Sequence, residues 1–231
     1  MDFLERLMAL NSSGPVRTQR PTAETALKGG SAPVLPDPAP HTVLGTPITG
    51  PWKPGQEHIV LGLGCFWGAE KLFWQLDGVE STSVGYAGGY TANPTYREVC
   101  TGRTGHAEVV DVVWDPAVIS LETILKVAME NHDPTQGDRQ GNDVGAQYRS
   151  VIYPVGTPEQ VAEQTAVARK VVASYAERLK EAGYGDVTTE IIPLVETPAG
   201  QYYLAEDEHQ QYLDKNPDGY CPVHATGVTC G

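Results

Sequence analysis

Hydrophobic patterning along the chain changes character at Glu57. Downstream of it, short apolar runs alternate with longer segments at helical spacing. HIVLGLG (58–64) is a continuous apolar run and predicts a buried strand. CFWGAEKLFWQLDG follows at once, with Phe66, Ala69, Phe73 and Leu76 near helical spacing and Gly78 as a stop. VESTSVGYAGGY predicts a strand running into a glycine-rich loop, and AEVVDVVWDP (107–116) alternates until Asp-Pro ends it. Ser120 is a good N-cap for LETILKVAMENH, where Leu121, Ile124, Leu125, Ala128 and Met129 form one apolar stripe. QYRSVIYPV predicts another strand, Pro158 opens a long helix to about Gly183, and VTTEIIPL predicts a last strand. AEDEHQQYLDKN predicts a short acidic helix before the irregular ending GYCPVHATGVTCG. Strands and helices mixed in this way give an α/β or α+β sandwich, one sheet covered by helices.

Upstream the pattern is different. MDFLERLMALNSSG predicts a short amphipathic helix, with acidic residues where a secretory signal would be basic. The stretch 21–55 has no period and is rich in Pro, Gly, Ala and Thr. It predicts an arm lying extended over the surface or disordered, without chemistry of its own.

Composition sharpens that division. Nine of the 18 prolines fall in residues 1–54, which carry five basic and four acidic side chains, a net +1. The formal charge of the 231-residue chain is −13, so the remainder carries −14. With a pI near 4.8, nucleic acid and anionic membrane surfaces are poor partners, because both repel such a chain. No run approaches the ~18 apolar residues of a membrane span. Four cysteines are too few for a disulfide scaffold at this length.

The sharpest chemical feature is GLGCFWGAE. A dinucleotide fingerprint would need its third glycine at Trp67, and an indole there blocks the approach of a pyrophosphate. What remains is Cys65 between a strand and a helix N-terminus. Helix-end N–H groups favour a thiolate there and can bring its pKa down from about 8.5 into the range of roughly 3.5 to 7.5. A buried structural cysteine is the plainer reading. Flanking glycines that clear space, with Phe66 and Trp67 as aromatic walls, favour a small pocket instead. Cys221 and Cys230 lie in the final eleven residues, among Gly219, Pro222 and Gly227. Their spacing lacks the compact pairs of zinc sites, so a metal centre with His224 ranks below a relay of disulfide exchanges. Glu108 opens an apolar strand, either at its edge or as a carboxyl of raised pKa facing the pocket. By periodicity alone Tyr86, Tyr90, Tyr96 and Cys100 read as packing. A hydrolase pairing Cys65 with His106, His132 or His209 has no sequence feature behind it.

GCFWG, GYAGGYTANPTYREVCTGRTGHAEVV, GNDVGAQYRS and HQQYLDKNPDGYC together resemble the A-class peptide methionine sulfoxide reductases, from about His58 to Cys221. The resemblance implies a ferredoxin-like α+β two-layer sandwich, with a central mixed sheet covered by helices and long irregular terminal segments. The chain then divides into a Pro-rich extension over 1–56, extended or partly disordered and outside the resemblance, a catalytic domain over 57–215 and a mobile tail over 216–231. The resemblance also implies reduction of methionine S-sulfoxide, free or in oxidised proteins, with Cys65 as nucleophile and Glu108 as acid. Tyr96, Tyr148 and Asp143 would serve the sulfoxide oxygen, and Phe66 and Trp67 would hold its methyl group. Cys221 would resolve the sulfenic acid on Cys65, and Cys230 would pass the disulfide to thioredoxin. The implied enzyme is a cytoplasmic monomer that uses neither cofactor nor metal.

Overall fold

In the computed structural model, residues 19–221 and 224–231 are described, so the helix predicted within residues 1–14 lies outside them. The core follows a β-α-β-β-α-β path through β1 (Glu57–Leu63), α1 (Phe66–Trp74), β2 (Val79–Ala87), β3 (Ala107–Trp114), α3 (Leu121–Glu130) and β6 (Ser150–Tyr153). Between β2 and β3 sits α2 (Tyr96–Val99), and between α3 and β6 a hairpin of β4 (Arg139–Gln140) and β5 (Asp143–Val144). The chain then adds α4 (Pro158–Glu181), β7 (Glu190–Ile191), β8 (Tyr203–Leu204) and α5 (Tyr212–Lys215). Strands run β7-β6-β1-β3-β2-β8 across one sheet. The four inner strands have the ferredoxin-like arrangement, and only the β6–β7 pair is parallel. The expected mixed-sheet α+β sandwich is therefore present.

The helices cap as their sequences dictate. Ser120 accepts the Thr123 N–H at the start of α3, and Thr157 with Gln160 forms a capping box ahead of Pro158. Helix α3 buries the stripe Ile124, Leu125, Ala128 and Met129 against the sheet. Each large member contributes about 1.5–3 kcal/mol by leaving water.

Strand β3 departs from its predicted alternation, since all eight of its residues are buried. Val110, Val112 and Trp114 face the helices, while Ala107 and Val109 join Val60, Val151 and Tyr153 in a second core on the other face. Packed over that second face are the segment around Tyr202 and the arm. Its His41 is 1% exposed. The Nδ1 of His41 accepts the N–H groups of Val43 and Leu44, which leaves Nε2 as the donor to Thr82 Oγ1 at 2.8 Å. Thr82 in turn donates to the buried carboxylate of Glu70 in α1.

Three other expectations change in detail. The strand predicted over VTTEIIPL shrinks to Glu190–Ile191, and the acidic helix to Tyr212–Lys215. Gln211 takes a left-handed conformation (φ 47°) and delays that helix. Its amide and N–H both bond to Glu70, which holds the turn. Helix α2, the β4–β5 hairpin and β8 add elements for which patterning gives no signal, since each is four residues or fewer, too short to show a period.

Candidate active site

Cys65 is the N-cap of α1, at the point where β1 ends. Gly64 makes the turn at φ 99°, a left-handed geometry, and a side chain there would run into Gln140. The N–H groups of Trp67 and Gly68 favour a thiolate at Cys65, but burial and then the neighbouring Glu108 act more strongly, with Asp143 adding to them. The thiol is pushed well above its ordinary range, which corrects the lowered pKa expected from the helix terminus. A half-charge at a helix end does not offset desolvation beside two carboxyls.

Glu108 faces the same site from β3, 1% exposed. Its Oε2 accepts the Phe66 N–H at 3.2 Å, and its Oε1 is buried without a partner. Burial, helped by the charge of Asp143, holds this carboxyl well above the usual range and so keeps it protonated. Asp143, on β5, accepts the Tyr220 hydroxyl on Oδ1 at 3.1 Å and leaves Oδ2 buried and unpartnered. Burial raises its pKa, and the Tyr220 bond and His224 oppose that rise. Tyr96 opens α2, and Tyr148 closes a 3-10 turn over Ala146–Tyr148. Burial first, then Glu108, pushes both phenols well above their ordinary pKa, so both remain donors.

Around these groups lies an aromatic cluster. Trp67 stacks on Tyr212 with ring centroids 4.0 Å apart, and Tyr96 packs on His209 at 4.3 Å. Phe66 touches Tyr86, Tyr96, Trp67 and His209. The indole N–H of Trp67 donates to His209 Nδ1 at 3.3 Å. That fixes the proton on Nε2, 3.9 Å from Glu206, and burial pushes His209 down to about 4, so it is neutral. Glu206 also receives the Tyr96 N–H at 2.7 Å and the Tyr86 hydroxyl at 2.9 Å. Patterning missed Glu206, His209, Tyr212 and Tyr220, because they do their work through rings and turns rather than through a periodic face. His209, Tyr212 and Tyr220 do lie inside the stretch HQQYLDKNPDGYC on which the resemblance rests.

None of the four cysteines is in a disulfide. Cys221 is exposed, and its neighbour Tyr220 reaches Asp143 while His224 packs against Gly141 of the β4–β5 connection. The tail therefore crosses the rim of the site at Cys221. Cys230 sits apart, buried beside α3 and α4, where its N–H donates to Glu130 and its thiol is pushed up to about 12 by burial and then by Glu130. Residues 224–231 are docked by Thr226 on Tyr175 and Tyr184 and by Lys126 on Gly231. His106 and His132 bond to backbone and serine groups, and His209 to Trp67, so no Cys65–His pair forms. Among the described residues no cluster could hold a metal, and no helix is long and apolar enough to cross a membrane. A cavity of about 670 Å³ lies elsewhere, between the arm and the second face of the sheet, lined by Trp52, His58, Asp111 and Tyr202 among others.

A neutral thiol beside a neutral carboxyl supplies an electron pair and a proton to one acceptor. With a second thiol, Cys221, at the rim, that defines a thiol-based oxidoreductase on a ferredoxin-like sandwich. Comparison with known proteins narrows the class: the family model for peptide methionine sulfoxide reductase matches residues 57–229. The peptide methionine sulfoxide reductase MsrA of Corynebacterium kroppenstedtii is 64% identical over 216 residues, covering 94% of this chain and 96% of the relative. The solved methionine sulfoxide reductase A of Corynebacterium diphtheriae is 59% identical with a TM-score of 0.84, covering 92% of this chain and 98% of that one. Reduced Mxr1 of Saccharomyces cerevisiae is 34% identical with a TM-score of 0.62, over 75% of this chain and 93% of that one. The chain belongs to the peptide methionine sulfoxide reductase family, an oxidoreductase family.

Proposed function

We propose that the enzyme returns methionine S-sulfoxide, free or in oxidised proteins, to methionine at Cys65. The observation that carries this reading is the Glu108 carboxyl: buried, protonated, anchored through one oxygen and open at the other. A sulfoxide oxygen placed at Oε1 takes the Glu108 proton, and the carboxylate so formed takes the Cys65 thiol proton. The thiolate then attacks the sulfoxide sulfur. Two electrons pass from Cys65 to the substrate and the oxygen ends on Cys65, giving methionine and a sulfenic acid. Burial that disfavours a thiolate at rest thus delays its formation until substrate supplies the proton acceptor.

Tyr96 and Tyr148 donate to the developing charge on that oxygen, with Asp143 acting beside them. Phe66 and Trp67 hold the methyl group, a contact worth about 1–3 kcal/mol. Methyl, oxygen and side chain held at three points select one sulfur configuration. Cys221 at the rim attacks the sulfenic acid, releases water and forms the Cys65–Cys221 disulfide. Cys230 then exchanges onto Cys221, and thioredoxin reduces the outer pair. This cycle needs reduced thiols at rest, which fits a cytoplasmic monomer. In this reading 57–215 is the catalytic domain, 1–56 its extension and 216–231 the recycling tail.

The test offers each epimer of a blocked methionine sulfoxide with dithiothreitol to the wild type and to Cys65→Ser. Turnover of the S epimer alone, abolished in Cys65→Ser, is expected. Equal use of both epimers, or full activity in Cys65→Ser, overturns the reading.

A further inference from the structure

We propose that Arg20, in the N-terminal arm, is a positioning residue for Tyr148, an inference that rests on the function proposed above. The guanidinium of Arg20 meets Asp138 Oδ1 at 2.6 Å through Nη2 and at 3.2 Å through Nε. Its Nη1 meets Glu190 at 2.6 Å. Two routes lead from these carboxylates into the turn that ends at Tyr148. Along the first, the Asp138 carbonyl accepts the Gly145 N–H at 2.9 Å, and the Gly145 carbonyl accepts the Tyr148 N–H at 3.0 Å. Along the second, Glu190 lies 3.5 Å from Nε of the buried Arg149, whose Nη1 donates to the Ala146 carbonyl at 2.7 Å.

The turn has reason to need an outside anchor. Gly145, at φ 143°, starts it without a side chain, and glycine leaves backbone direction undetermined locally. Arg20 closes the network from a third segment and ties β7, the β4–β5 hairpin and the arm into one unit. Its planar fork suits two carboxylates at once, which a lysine cannot match. The arm also braces the other tyrosine. Leu27 donates its N–H to Arg103, Gly30 to Ala92, and the Thr91 hydroxyl donates to Leu27, all flanking the loop that leads to Tyr96. An extension that reads as inert in sequence therefore borders both segments that present a phenol to the sulfoxide oxygen.

The experiment is a double-mutant cycle on the full chain: wild type, Arg20→Ala, Tyr148→Phe and the double variant. Each is assayed for kcat/KM on S-sulfoxide with dithiothreitol, and each has its Tm measured. Arg20→Ala is expected to lose about fivefold, because a small displacement of a donor is costly. In the Tyr148→Phe background the same substitution is expected to cost less than about twofold, since the hydroxyl it positions is gone. No loss in Arg20→Ala overturns the proposal, as does an equal loss in both backgrounds. A general destabilisation gives that equal loss, so it also counts against the proposal. Cys65→Ser, assayed alongside, tests the functional reading separately: full activity there refutes the role of Cys65 and leaves the Arg20–Tyr148 coupling to be read from the cycle.

Discussion

The Phe66 backbone N–H donates to Oε2 of Glu108 at 3.2 Å, so the residue next to Cys65 fixes a carboxyl 42 positions away. The bond ties the first turn of α1 to the start of β3 and leaves Oε1 without a partner. Because the bond favours the carboxylate and burial opposes it more strongly, the proton stays on Glu108 until an acceptor arrives.

Glu108→Gln keeps the Phe66 bond and removes the acid. Its rate of sulfenic acid formation in a single turnover is expected to fall by about 10²–10⁴. In the wild type that rate is expected to decline as pH rises through the raised pKa of Glu108, and the Gln variant is expected to lack this decline. A pH profile of the single-turnover rate checks both; an unchanged alkaline limb in Glu108→Gln assigns the proton to another group.

Tyr96 and Tyr148 approach the site from different segments, α2 and the 3-10 turn, and both are held protonated. In the proposed reaction, two donors on one oxygen partly replace each other. Tyr96→Phe and Tyr148→Phe are each expected to lower kcat/KM by about tenfold or less, and the double variant by about 10²–10³. If the double variant loses no more than either single one, only one phenol serves the oxygen.

Glu70 and His41 meet through Thr82 but titrate with opposite effects on stability. Burial pushes Glu70 up to about 7, so the stability it contributes is full below about pH 4.5 and is lost as pH rises through 7. The full effect of that shift is about 3 kcal/mol. Burial pushes His41 down to about 4, so its contribution is lost as pH falls from about 6.5 towards 4. Glu70→Gln carries a constant cost for facing its amide towards donors, and its Tm relative to wild type is expected to improve from pH 5 to pH 8. A difference that stays flat across that range would mean Glu70 does not titrate in the folded state.

Much of this was legible in the sequence, and the parts that were not share a cause. The strand around Ile59 and the helix around Leu125 announce themselves by period, and Ser120 by its cap. The expected site residues divide by place: Cys65, Phe66, Trp67, Glu108, Tyr96, Tyr148 and Asp143 come together, Cys221 stands at their rim, and Cys230 lies away under α3 and α4. What patterning hid was held by long-range polar contacts. Glu206 looks like one more acid in AEDEH, yet it joins Tyr86 and Tyr96. His41 sits in a proline-rich stretch that has no pattern, yet it bonds across to β2. The direction of the Cys65 pKa was misjudged because the sequence displays the helix end and conceals the burial beside Glu108.

Cys230 is buried in the thiol form of the protein, and that would set the behaviour of the last exchange in the proposed relay. Its N–H donates to Glu130, its thiol is buried, and Thr226, Thr229 and Gly231 bind Tyr175, Arg178 and Lys126. In the proposed relay, attack on a Cys65–Cys221 disulfide would require this segment to leave its dock and the thiol to ionise, against a pKa pushed up to about 12 by burial and Glu130. Glu130→Gln removes the charge and leaves the burial. Alkylation of Cys230 in the reduced protein is expected to quicken and its pH midpoint to fall, without returning to that of an exposed thiol, because burial is the larger cause. Cys230→Ser is expected to retain most dithiothreitol-supported turnover while losing about tenfold or more with thioredoxin, since a small dithiol reaches the inner disulfide and a protein reductant needs the outer one. An unchanged ratio of the two rates in Cys230→Ser removes Cys230 from the relay and leaves its burial purely structural.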